Sequence, residues 1–148
     1  MFILQELFYI WNCIFALKTQ SLAESFMKRI EAKIKLFDGD AEKHESMSFL
    51  VLIKGVLFRN LDRDEHAVQC FKAVIEAGKG IKKDTFIVPH AILELGTTYL
   101  KMKNFEEANE YLHRAKNDYE KFLNESIVNL RVSSALRQLQ IMEDSTRL

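Results

Sequence analysis

The sequence predicts an all-α fold, a solenoid of about three antiparallel helical hairpins followed by a C-terminal capping helix. Two glycines, Gly55 and Gly96, open stretches that repeat the same residue types at the same spacings. Seven segments show helical periodicity, and most of the gaps between them leave room only for a tight turn. Repetition of this kind is typical of stacked helical hairpins.

The two copies of the repeat share four further positions after the glycine. These are an aromatic residue, an alanine, a bulky apolar residue and a smaller apolar residue: Phe58, Ala67, Phe71 and Val74 in the first copy, and Tyr99, Ala108, Leu112 and Ala115 in the second. Glycine inside a helix costs roughly 1 kcal/mol relative to alanine, so a packing reason is expected. We predict that each glycine faces the alanine of the next helix, with the aromatic residue beside them.

The predicted helices cover about residues 2–17, 20–36, 43–60, 63–78, 88–102, 105–121 and 124–143. They form one domain, 1–148, with a divergent hairpin at 1–40, repeats at 47–80 and 88–121, and a capping helix at 124–143. We expect this domain to be part of a longer repeat protein.

Helix-boundary residues support this division. Capping boxes are predicted at the starts of the fourth and sixth helices, formed by Asp62 with Glu65 and by Asn104 with Glu107. Left-handed glycines are predicted to end the second and fourth helices, at Gly39 and at Gly78 with Gly80. Pro89 fits the first turn of the fifth helix, and Asn124 is expected to cap the last.

Composition limits the classes of function. Apolar residues make up 48% of the chain and proline occurs once, which is typical of a folded domain. The 21 basic side chains are matched by 21 acidic ones, so the positive excess that favours nucleic-acid binding is missing. The cysteines, Cys13 and Cys70, form no CxxC motif, and they predict buried thiols in a reducing, cytoplasmic location.

The segment from Phe2 to Leu17 is apolar but does not resemble a signal peptide or a membrane span. No basic residue precedes it, and it is shorter than the ~20 residues that cross a bilayer. We predict a helix that is apolar on several faces. Three alternatives stay open: this helix packs on preceding repeats of a longer protein, it self-associates, or it meets a membrane surface, which is the less favoured.

Candidate chemical motifs are incomplete, so no catalytic, metal-binding or cofactor-binding residue is predicted. His44 and Glu45 lack the second histidine of a zinc site, since Ser48 stands there, and His66, His90 and His113 are scattered. The stretch Gly78–Lys83 is not a phosphate-binding loop and favours a helix end followed by a solvated basic loop. The alternative is an anion or acidic-partner contact through Lys79, Lys82 and Lys83.

The second repeat carries a recognisable pattern of residues. The segment Leu95-Gly96, Tyr99, Asn104-Phe105-Glu106-Glu107-Ala108, Tyr111-Leu112 and Ala115 resembles the tetratricopeptide repeat. That family usually repeats about every 34 residues. The interval from Gly55 to Gly96 exceeds this period by seven positions, which implies an extension that falls within Gly78 to Val88.

The order of landmarks along the chain gives a narrower resemblance. The runs Glu6 to Asn12, Lys54-Gly55, Ala67 to Phe71, and Ile81 through Val88-Pro89 to Gly96 are similar to the C-terminal region of the tetratricopeptide repeat protein 39 family. That family in turn resembles fungal inclusion-body clearance proteins. The resemblance implies a non-enzymatic intracellular adaptor whose partner is a protein of unknown identity.

The resemblance also implies a concave partner-binding groove lined by the first helix of each hairpin. Its expected residues are Phe49, Leu52, Val56, Arg59, Asn60, His90, Leu93, Thr97, Leu100 and Lys101. The basic residues that clamp a peptide carboxylate in chaperone-binding relatives are not present as a set. A largely apolar groove fits either a hydrophobic helix as ligand or the protein's own flanking helices.

The last helix is expected to pack through an apolar stripe formed by Ile127, Leu130, Ser134 and the segment Leu136 to Ile141, with Arg131, Arg137 and Gln138 able to face water. The leading function is therefore a protein-protein interaction adaptor or scaffold. The alternative is an organelle- or lipid-surface protein, for lipid or inclusion-body handling, that uses the apolar N-terminal helix.

Overall fold

The computed structural model describes residues 19–147, which contain six α-helices and no strand. The helices are α1 (Gln20–Phe37), α2 (His44–Asn60), α3 (Asp64–Ala77), α4 (Ile87–Lys101), α5 (Phe105–Asn117) and α6 (Glu125–Thr146). The all-α fold class is confirmed. Most of their ends lie within two residues of the predicted bounds, but α5 ends four residues early and α6 continues three residues further. The helix predicted at 2–17 lies outside the described residues.

The helices stack in chain order. α2 packs on α3 and α4 packs on α5, which makes two hairpins, while α3 with α4 and α5 with α6 form the contacts between successive layers. α1 packs on α2 at one end of the stack, and α6 packs on α4 and α5 at the other. α4 is therefore the central helix, and 13 of its 15 residues are buried.

The two repeats share a turn geometry that the sequence pattern does not reveal. Asp62 and Lys103, which occupy equivalent positions in the two hairpins, both adopt a left-handed backbone with φ of 57° and 62°. In each turn the next residue donates its backbone N–H to the carbonyl of the repeat aromatic, Arg63 to Phe58 and Asn104 to Tyr99, both at 2.9 Å. The turn between the helices of each hairpin is thus closed by the backbone.

Neither predicted capping box forms. Asn104 does precede α5, but its side chain makes no capping hydrogen bond. Arg63, not Asp62, is the residue before α3, and the Asp62 carboxylate instead accepts a hydrogen bond from Lys101 at 2.8 Å. Asn124 precedes α6 in a left-handed conformation, again without a side-chain cap. The backbone bonds of Arg63 and Asn104 hold the chain just before α3 and α5, where the predicted side-chain caps do not form.

The repeat glycines make room for the bulky residue sixteen positions later. A Cβ atom on Gly55 would lie 2.5 Å from Cε1 of Phe71, and one on Gly96 would lie 2.9 Å from Cγ of Leu112 and 3.1 Å from its backbone nitrogen. The predicted reason, a glycine facing an alanine, is therefore incomplete. The nine predicted packing residues are buried except Phe58, which is half-buried: Gly55, Phe58, Ala67, Phe71, Gly96, Tyr99, Ala108, Leu112 and Ala115.

The glycines at the end of α3 also act through close approach. Gly39 has the left-handed conformation predicted for it, with φ of 80°, but Gly78 has φ of −57° and begins a short 3₁₀ turn, Gly78–Gly80. A Cβ atom on Gly78 would lie 2.8 Å from Val88, and one on Gly80 would lie 2.8 Å from the His44 ring. The prediction of a left-handed end at Gly78 and Gly80 is wrong.

The extension between α3 and α4 is held by one carboxylate. Glu45, in the first turn of α2, accepts hydrogen bonds from three successive backbone N–H groups, those of Lys82 (2.9 Å), Lys83 (3.1 Å) and Asp84 (2.8 Å). These bonds, first that of Asp84, lower the pKa of Glu45. The first turn of α2 therefore holds the segment Lys82 to Asp84 in place. This segment follows the α2–α3 hairpin and leads into the central helix.

Replacing Gly55 with alanine tests the packing of the repeat glycine. The added methyl group has to displace the Phe71 ring, and we expect a net loss of about 1–3 kcal/mol in the free energy of unfolding despite the better helix propensity of alanine. Chemical denaturation measures this change. The further substitution Phe71→Leu removes the clashing ring atoms, so Gly55→Ala should cost less in that background. An equal cost in both backgrounds would show that Phe71 does not set the requirement for glycine.

Candidate functional site: the predicted groove and a buried charge network

Most of the predicted groove residues are not accessible to a partner. Seven of the ten are buried: Phe49, Leu52, Val56, Arg59, His90, Leu93 and Leu100. Asn60 and Thr97 are half-buried, and Lys101 is exposed. A partner-binding role for the set stays a prediction, but the fully buried members cannot contact a ligand from solution without rearrangement.

A charge network crosses the interior at the centre of the predicted groove. The Arg59 guanidinium on α2 contacts the Glu94 carboxylate on α4 at 2.6 Å, and Arg131 on α6 donates to the other carboxylate oxygen at 2.8 Å. The Arg59 side chain also reaches the backbone carbonyl of Glu94 at 3.3 Å and the Thr98 hydroxyl at 3.5 Å. One buried carboxylate thus joins three helices from successive layers of the stack.

The environment of Glu94 keeps it ionised. Its side chain is 1% exposed, and burial alone would raise its pKa, but the positive charges of Arg131 and Arg59 outweigh burial and hold the pKa well below its usual range. Breaking a buried ion pair by removing one partner typically costs about 3–5 kcal/mol, because a charge is left uncompensated. Replacing all members with well-packed apolar residues is often neutral. We infer that the network specifies how the layers fit together more than it adds stability.

Lys101 has a comparable structural role at the end of α4. Its ammonium donates to the Arg59 carbonyl at 3.1 Å and to the carboxylates of Asp62 at 2.8 Å and Asp64 at 2.9 Å. These acceptors lie at the end of α2 and the start of α3. Lys101 therefore connects two successive hairpins, a role that the groove prediction does not include.

The histidine of the predicted groove lies in an aromatic pocket. The His90 ring contacts Phe86 and Phe122 edge-on, with centroid distances of 5.7 and 6.2 Å. Burial lowers the pKa of His90 to about 4, although the Glu94 charge and a hydrogen bond with the Leu123 backbone oppose this shift. His90 is therefore neutral at pH 7. His66 and His113, by contrast, are exposed.

The packing face of α6 agrees with the predicted one only at Leu139, which is buried, and at Leu136, which is half-buried. The buried row is Val128, Val132, Ala135 and Leu139, whereas Ile127, Leu130 and Ile141 are exposed. Arg131, which was expected to face water, is half-buried and points inward to Glu94, while Arg137 and Gln138 are exposed as expected. The long arginine side chain explains the shift, because its charge pairs with a buried carboxylate that the apolar pattern of α6 does not reveal.

Sequence reasoning missed Glu94 as a central residue. The signal that could have found it is its isolation: Glu94 is the only charged residue with a fixed charge at pH 7 between Asp84 and Lys101. A carboxylate in so apolar a helix is a candidate for burial, and a buried charge requires a partner. The partners of Glu94 are Arg59, which was predicted to lie in the groove, and Arg131, which was predicted to face water on the capping helix.

The incomplete motifs are engaged in local structure. His44 Nε2 lies 3.3 Å from the Ala77 carbonyl oxygen. The Glu45 carboxylate accepts hydrogen bonds from the backbone N–H groups of Lys82 and Lys83, so these groups already have a partner. Burial raises the pKa of the Cys70 thiol to about 11. Within residues 19–147, no group of three or more histidine, cysteine or acidic side chains is placed to hold a metal ion.

The fold and the packing of α4 on α5 define a helical-repeat module of the tetratricopeptide type. The family model for the tetratricopeptide repeat matches residues 89–117, which is the second hairpin from the third residue of α4 to the end of α5. No solved structure matches the chain.

A curated relative gives the narrower relationship. The chain is 33% identical over 84 residues to tetratricopeptide repeat protein ttc-39B of Caenorhabditis elegans, a match that covers 57% of this chain and 14% of that protein. The predicted relationship to the tetratricopeptide repeat protein 39 family is thereby confirmed. The matched part corresponds to about one seventh of the relative's length.

The His90 pocket predicts a specific pH dependence. Because the folded-state pKa of about 4 lies below the ordinary value of 6.5, the unfolded chain binds this proton more tightly. The contribution of neutral His90 to the free energy of unfolding should therefore be fully present above pH 6.5. It should be lost as the pH drops towards 4, which lowers the free energy of unfolding by about 3 kcal/mol at most. His90→Gln should flatten this slope between pH 6.5 and 4.5 in denaturation curves. The exposed His113→Gln is the control, and an equal slope in wild type and His90→Gln would refute the assignment.

Proposed function

We propose that this chain is a non-enzymatic protein-interaction module that acts as an adaptor or scaffold. The observation that carries the proposal is the match of the tetratricopeptide repeat to the α4–α5 hairpin inside a stack of helices. Repeats of this architecture present extended surfaces to which partners bind. The relationship to a tetratricopeptide repeat protein supports the same role.

Because most groove residues are buried, only a few positions of the predicted groove are accessible to a partner. Thr97 and Asn60 are half-buried members of the predicted groove, and they lie on the central helix and at the end of α2. Leu52 and Leu93 are fully buried, so variants at these positions would test folding rather than binding. We place the proposed contact on the rim of the groove, around Thr97 and Asn60, and not on its apolar interior.

The alternative, association with a lipid or organelle surface, rests on the segment 2–17, which lies outside the described residues, and it stays a prediction. No helix within residues 19–147 has the length and apolarity needed to cross a membrane.

Cross-linking in cells followed by mass spectrometry tests the adaptor function. The intact chain should cross-link to a reproducible set of proteins, and Thr97→Arg, which adds a long cation to the rim, should reduce their recovery about tenfold. Gln69→Arg is the matched control, because it adds the same side chain at an exposed position of α3 and should retain the partners.

Two outcomes would contradict the proposal in different ways. Recovery of the same partners with both variants would remove the rim of the groove as the contact. Recovery of nothing beyond the background of an unrelated helical protein would remove the adaptor function itself. Far-ultraviolet circular dichroism of both variants establishes that each retains its helices.

A further inference from the structure

The outer face of α6 is an apolar surface at the end of the stack. It presents Ile127, Leu130 and Ile141, with Leu130 71% exposed, and Leu123 extends the row before the helix begins. Residues 127, 130, 134 and 141 recur at helical spacing and share one side of the helix. The opposite side, with Val128 and Val132, packs on the preceding layer. The exposed row therefore occupies the place where a further helix of the stack would pack.

The comparison with α4 shows what this place requires. α4 has helices on both sides, α2 and α3 before it and α5 and α6 after it, and 13 of its residues are buried. α6 has described neighbours on one side alone, and only four of its residues are buried. A helix with an apolar face would complete the burial of α6.

The chain itself contains a segment with the required properties. Residues 2–17 are long enough for a helix of more than four turns, are apolar on several faces, and carry a single charged residue, Glu6. The outer face of α6 between Ile127 and Ile141 also carries a single charge among its exposed residues, that of Arg137. The two surfaces are therefore complementary in both apolar character and charge.

The connection to α1 favours a second copy as the source of this segment. The segment precedes α1, which packs on α2 at the opposite end of the stack from α6. Two interlayer steps of about 8–10 Å each separate α2 from α6. At about 3.4 Å per extended residue, crossing these layers takes about five or six residues, which leaves about ten to lie along α6 in the same molecule. A second copy can offer the whole segment, so we take a second copy as the occupant.

We propose that this chain self-associates head to tail, with residues 2–17 of one copy packing on the outer face of α6, around Leu130, of a second copy. The contact is heterologous, because two different surfaces meet, so it leaves a free surface at each end and supports chains longer than a dimer. This self-association uses a different surface from the groove rim at which partners are proposed to bind.

Light scattering of the intact chain at increasing concentration is the first test. The weight-average mass should rise above that of the monomer, and Leu130→Glu should return it to the monomer, because a charge then replaces the centre of the apolar row. Leu36→Glu is the matched control. Leu36 is 79% exposed on α1 and belongs to neither of the two proposed surfaces, so its substitution should leave the association unchanged.

Mixing two variants distinguishes head-to-tail association from other modes. Leu130→Glu disables the α6 surface, and Phe8→Glu with Ile10→Glu disables the segment on two faces of its predicted helix. Each variant alone should be a monomer, and their mixture should form a heterodimer, since one supplies an intact segment and the other an intact α6 face.

Charge exchange provides a readout independent of the apolar substitutions. Arg137→Glu and Glu6→Arg should each weaken association, and the double variant should restore it. A wild-type chain that stays monomeric at every concentration would overturn the proposal. So would a segment variant that still dimerises by itself, which would indicate a symmetric α6–α6 contact, or a mixture that remains monomeric.

Discussion

The buried carboxylate of Glu94 is the constraint on which the arrangement of the layers depends. Removing one partner from a buried ion pair costs about 3–5 kcal/mol, so an arrangement of the layers in which Glu94 loses an arginine is disfavoured. Arg59 from the preceding layer and Arg131 from the following one both meet this carboxylate. The offset of α2, α4 and α6 is thus defined by two charge contacts, while the glycines define how closely each hairpin closes. The charge contacts act between layers, and the glycines act within each hairpin.

The repeat pattern predicted the fold because it records contacts within a hairpin. Phe71 and Leu112 lie so close to Gly55 and Gly96 that a side chain at either glycine would collide with them. This requirement for glycine recurs in both copies of the repeat. Turn chemistry was less predictable. The left-handed backbone of Lys103 accompanies backbone closure of the turn, a contact to which residue type contributes little. The predicted side-chain caps do not form.

The candidate site was harder to predict, because burial of the first helix of a hairpin depends on the next layer. The family pattern placed Leu93 and Leu100 in a groove that either holds a ligand or is filled by the protein's own helices, and in this chain both are buried. The inward turn of Arg131 was equally hidden, since it requires knowing that a carboxylate on a helix two elements earlier lies opposite. What remains accessible is the rim near Thr97 and the outer face of α6, and the proposals for partner binding and self-association rest on these surfaces.

Native-state hydrogen exchange tests most directly whether the Glu94 network joins three layers into one cooperative unit. In the wild-type protein, the slowest amides of α2, α4 and α6 should open with the same free energy, because the layers that share the carboxylate unfold together. In Glu94→Gln, the α6 amides should exchange at a lower opening free energy than those of α4. Wild-type α6 amides that already open independently, with no change in Glu94→Gln, would contradict the account.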